Sequence, residues 1–97
     1  MTDISPKMTR ADVLETAKEM VCGHREQDYG SPEDNFSVIA KMWSAYLNEP
    51  VTSVDVAAMM ALLKIARIAT ASGQPTFDCF VDLAGYAACG GELNDAR

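Results

Sequence analysis

The sequence predicts an all-α fold, an antiparallel four-helix arrangement that assembles as a dimer or higher oligomer. Three observations predict it. Apolar residues recur every three to four positions in four segments, a capping residue opens each of the first three, and no run alternates with the period of a strand. Residues 1–8 read as a flexible N-terminus, 9–91 as a single four-helix domain and 92–97 as a C-terminal tail.

Thr9 caps the first helix, with Asp12 three residues on as the short acid of a capping box. Val13, Leu14, Ala17, Met20 and Val21 follow at helical spacing until Gly23 ends the run. The second helix opens on "SPED": Ser31 caps, Pro32 suits the first turn, and Glu33 and Asp34 favour the positive helix end. Its stripe is Phe36, Ile39, Ala40, Trp43, Tyr46 and Leu47, and "NEPVTS" breaks it. Thr52 or Ser53 caps a third helix that runs to about Ala71 and stops at Ser72-Gly73. There Val54, Val56, Met59, Met60, Leu62, Leu63, Ile65 and Ile68 surround the helix, which predicts burial on most sides, partly by a second subunit. After "SGQPT" a fourth helix spans Phe77 to Cys89, with Phe77, Phe80, Val81, Ala84 and Ala88 as its core face and Gly90-Gly91 as its stop.

Ninety-seven residues make one domain. A net charge of −6 and a pI near 4.5 exclude a surface that coats a nucleic-acid polymer, but allow the few local cations that hold one small anion. Cys22, Cys79 and Cys89 show no CxxC spacing, which argues against zinc and a disulfide framework. "MTDISPKMTR" lacks the apolar run of a secretory signal, and Asp55, Lys64 and Arg67 interrupt the most apolar segment, so no membrane span is expected. The expected location is the cytoplasm.

The chemistry-bearing residues are polar groups on apolar helices. Lys64 and Arg67 share a face of the third helix, while Asp78, Asp82 and Tyr86 form a stripe on the fourth. Counting outward from Gly73 sets Arg67 level with Asp78 and Lys64 level with Asp82. Two cations facing two carboxylates are either structural ion pairs that fix the hairpin register or the wall of a polar pocket. The "HREQDYG" loop adds His24, Arg25, Asp28 and Tyr29, and antiparallel neighbours would bring it to the 72–76 end, nearest Arg67 and Asp78. Gly30 supplies a positive φ before the Ser31 cap. Together these residues offer cations for phosphate, a ring to stack on a base and acids able to hold magnesium. As a solvated connector the same loop needs no ligand. Trp43 and Tyr46 read as core, Met59 and Met60 as core or subunit contact, and Asp55 as a helix-dipole partner.

The string "DYGSPEDNFSVIAKMWSAYL", followed by "DVAAMMALLKIARI" and "DCFVDLAGYAA", resembles a family of small phage and prophage proteins over roughly Val21 to Glu92. More distantly, the DYG loop and KIAR helix are similar to phage nucleotide-modification-associated domains. The DLAGYA ending resembles the last helix of MazG-like all-α nucleoside triphosphate pyrophosphohydrolases. These resemblances imply a nucleotide-type ligand and an obligate oligomer. MazG-like enzymes carry EExxE and ExxD acids for magnesium, whereas the third helix here has no glutamate, leaving only Asp78 and Asp82.

Three readings result. The first is a binding module with no cofactor and no catalytic residue, which captures a small nucleotide or cyclic-nucleotide defence signal without turnover. Its ligand residues are His24, Arg25, Asp28, Tyr29, Lys64, Arg67, Asp78, Asp82 and Tyr86. The second is a magnesium-dependent pyrophosphohydrolase with Asp78 and Asp82 as metal ligands and Lys64 or Arg67 countering the leaving phosphate. The third is a structural or host-protein-binding module.

Overall fold

The computed structural model describes residues 7–24, Gln27 and 30–95, with His24 described in its backbone alone. Four helices are present and no strand occurs among the described residues, as the periodicity requires: α1 Arg10–Glu19, α2 Pro32–Leu47, α3 Ser53–Ala69 and α4 Phe77–Asp95.

The caps form where short polar side chains precede the apolar runs. The Thr9 hydroxyl accepts from the Asp12 amide, and the Asp12 carboxylate accepts the Thr9 N–H at 2.8 Å. Thr52 and Asp55 repeat this box on α3, which accounts for Asp55 without a metal. Ser31 caps α2 with Pro32 in its first turn, and Asn48 ends it in the left-handed region at φ 55°. The Ser44 hydroxyl then accepts from the Val51 amide at 2.8 Å and faces the Val51 carbonyl at 3.2 Å, clamping the linker to α2. Ser72 and Gly73, both at positive φ, turn the chain between α3 and α4.

α3 and α4 form an antiparallel hairpin. α1 packs on α4 and α2 packs chiefly on α3. The core lies at one end of the hairpin, where Phe36 and Ala40 of α2 meet Val56 and Ala57 of α3 and Cys89 of α4. Val21, Ile39, Trp43, Val51, Met60, Tyr86 and Leu93 pack around it. α4 can be approached closely at two glycines. A β-carbon at Gly85 would lie 3.0 Å from Val21 Cγ1, and one at Gly90 would lie 3.1 Å from Ala57 Cβ.

Several expectations are corrected. α1 does not stop at Gly23 but passes into a π-helical turn over Met20–His24. α4 does not stop at Gly90-Gly91; it runs to Asp95, because Gly90 is packed against α3 and Leu93 is held on the core. Residues 92–95 are therefore helix and not tail. The buried face of α4 is Val81, Gly85 and Cys89, leaving Phe80 45% exposed and Ala88 exposed. Tyr46 is 89% exposed and is not core. Within the single chain α3 is not covered on most sides: Met59, Leu62, Leu63 and Ile65 face outward. The molecule is accordingly long, 56 × 28 × 22 Å, with a radius of gyration of 15.5 Å against about 13 Å for a compact chain of this length.

Gly90→Val should lower the melting temperature by several degrees, because the Ala57 β-carbon is fixed to a helix backbone and cannot yield. Thermal melts followed by circular dichroism check this; an unchanged midpoint would mean that α3 and α4 are not in close contact there. A second expectation concerns acid. The Thr9 N–H, and next its hydroxyl, hold the Asp12 carboxyl below its ordinary value of 3.8. A lowered folded pKa contributes stability above the unfolded value that is lost as pH falls through the folded one. The first turn of α1 should fray as pH falls well below 3.8, read from Thr9 amide exchange, and Asp12→Asn should lack that transition.

Candidate functional site

A small cleft, open to solvent, lies between the π-helical turn, the start of α2 and the middle of α4. The turn brings Met20 and Val21 to its wall, since the widened backbone turn swings both residues toward α4. Gly30, at φ +83°, and Pro32 carry the chain across the mouth into α2, whose first two turns contribute Asn35 and Phe36. α4 supplies Val81, Asp82, Gly85, Tyr86 and Cys89. Tyr86 and Phe36 form an aromatic pair with centroids 6.3 Å apart and planes tilted by 38°.

Lys64 reaches across the hairpin from α3, and its Nζ lies 2.9 Å from Asp82 Oδ2. The count outward from Gly73 anticipated this pair. Lys64 keeps 16% of its side chain exposed and Asp82 34%, so the pair is half-sheltered at the edge of the cleft. The second anticipated pair is absent: Arg67 and Asp78 are both exposed, and no ion pair joins them.

Of the predicted ligand residues, Asp82 and Tyr86 line the cleft and Lys64 touches it through Asp82. Arg67 and Asp78 do not line it. The side chain of His24 and the whole of Arg25, Asp28 and Tyr29 lie outside the described residues. The loop was expected near the 72–76 turn, but its flanks, Val21 and Gly30, sit beside Val81 to Cys89, mid-way along α4 and level with Asp82. Asn35, Phe36 and Gly85 were not anticipated as site residues. The glycine inside "DLAGYAA" was the available signal, because an isolated glycine in a helix marks a close approach.

No group of three or more His, Cys, Asp or Glu side chains among the described residues could hold a metal ion. Asp82 is engaged by Lys64, and Asp78 stands one turn away on the same helix. No helix among the described residues is long and apolar enough to cross a membrane.

A family model described as a domain of unknown function (DUF6378) matches residues 12–94. The Gene 55 protein of Mycobacterium phage D29 is 43% identical over 77 residues, covering 79% of this chain and 50% of that protein. The Gene 55 protein of Mycobacterium phage L5 is 46% identical over 76 residues, covering 77% and 47%. The expected likeness to phage proteins holds, and the chain spans about half the length of the curated relatives it matches. No solved structure matches.

The Lys64–Asp82 pair gives an asymmetric mutational expectation. Asp82→Asn leaves a sheltered ammonium without its counter-charge and should cost about 1–3 kcal/mol. The double change Lys64→Met with Asp82→Leu should recover most of that loss, since an apolar pair of similar size is commonly neutral. Urea unfolding of the three proteins measures both; equal losses in single and double variants would contradict the coupling.

Proposed function

We propose, for a chain that belongs to the DUF6378 family, that it is a binding module that captures a small nucleotide or nucleotide-derived ligand and releases it chemically unchanged. The observation that carries this reading is the cleft's combination of an aromatic pair with a few polar groups. Phe36, Tyr86, Val21, Pro32 and Val81 offer apolar surface to a base. The Asn35 amide both donates and accepts, and the Asp82 carboxylate accepts from ribose hydroxyls or an exocyclic amine. Among the described residues, Lys64 is the cation held at this edge, for a phosphate. The likeness to phage proteins, rather than the cleft itself, makes an antiviral nucleotide signal the first class of ligand to try. Capture fits better than pyrophosphohydrolysis, because a magnesium centre that activates water needs more carboxylates than Asp78 and a lysine-bound Asp82.

The test incubates the protein with magnesium and a mixture of nucleoside triphosphates, deoxynucleotides, NAD-derived signals and cyclic oligonucleotides. Bound material is then released by heat and chromatographed. One compound depleted and recovered intact is the expected result. Tyr86→Ala and Asp82→Asn should each weaken its capture by about tenfold, near 1.4 kcal/mol. Arg67→Ala, outside the cleft, should not. A monophosphate product would replace capture by hydrolysis, and no depletion at all would remove the nucleotide reading.

A further inference from the structure

We infer that the outward face of α3 is the seam of a homodimer, in which two copies pack α3 against α3 antiparallel about a twofold axis near Leu62. The spacing of that face comes first. Met59, Leu62, Ala66 and Ala69 recur at intervals of three, four and three, the seam pattern of paired helices, and all four are exposed. Leu62, at the middle, is 62% exposed, and Leu63 and Ile65 flank it at 41% and 48%. Ala66 and Ala69 are small enough to let a second backbone approach.

Area comes second. Met59, Leu62, Leu63 and Ile65 are between 41% and 62% exposed on the side of α3 turned away from the core, an apolar surface that the single chain leaves uncovered. The core is thin: among the described residues Val56 is the one large side chain buried completely. A chain so short of buried surface needs a cover present whenever it folds, and a second copy is the partner always available in equal amount.

Charge decides orientation. Asp55, four residues before Met59, stands in line with the seam at its N-terminal end. Parallel packing sets Asp55 beside Asp55. Antiparallel packing keeps the two carboxylates at opposite ends, and aligns the helix dipoles favourably.

Sedimentation equilibrium of the full chain at micromolar concentration should give twice the 10.5 kDa chain mass or an even multiple. A monomer would overturn the proposal. Orientation is read by crosslinking in a Cys22→Ser, Cys79→Ser background. Mixing Met59→Cys with Ala66→Cys protein should give a mixed disulfide dimer in excess over either self-dimer. Self-dimers without the mixed product, or no crosslink from a chain that sediments as a dimer, would overturn it. Tyr46→Lys, on the exposed side of α2, should leave mass and crosslinking unchanged; loss of the dimer there would move the seam to α2 and sink the α3 assignment.

Discussion

How near its neighbours can come to α4 decides most of this structure. α4 touches the other three helices, and it admits two of them at glycines. Gly85 and Gly90 are five residues apart, so they point about 140° apart around the helix. Each therefore serves a different neighbour: Val21 of the π-helical turn at Gly85, and Ala57 of α3 at Gly90. A glycine inside a helix costs about 1 kcal/mol relative to alanine, and close packing on both sides offsets that loss. This is also why α4 does not end at Gly90-Gly91. Tertiary contact there outweighs the local preference to stop.

The same approach creates the cleft. With no side chain at Gly85, the π-helical turn lies against α4, and the chain re-enters at Gly30 and Pro32 to close the far side. Phe36 is then directed onto both the core and Tyr86, so a single residue joins the packing of α2 to the floor of the cleft. The main core cluster lies at the end where Val56, Ala57 and Cys89 meet, and Ala17 and Val81 are buried apart from it. α1 covers part of α4, but among the described residues nothing of this chain covers the outward face of α3. Length, thin core and exposed leucines are one consequence of one packing choice.

Much of this was legible in the sequence, because caps and hairpin registers are local. Thr9, Ser31 and Thr52 act as read, and a count from Gly73 finds the Lys64–Asp82 pair. The same count fails for Arg67 and Asp78. These residues lie nearer the open end of the hairpin, where both side chains are solvated and water competes for them. The buried face of α4 was read only at Val81, for a different reason. Hydrophobicity favours Phe80 and Ala88, but the helix is buried along Val81, Gly85 and Cys89, where closeness and not apolar mass is what the packing needs. Tyr46 follows the stripe of α2 by spacing, yet α3 covers only the part of that stripe around Phe36, Ala40 and Trp43. Periodicity names a face; it does not say how far along the helix the partner extends.

The two cations of α3 show how one helix separates two tasks. At 100° per residue, Lys64 lies about 140–160° around the helix from Met59 and Leu62. It points at α4 and is held by Asp82, while the seam faces away. Three residues on, Arg67 has turned outward by about 60° and is exposed. A second copy docked on the seam would therefore leave the cleft open, because no residue of α3 lines it and Lys64 meets it only through Asp82.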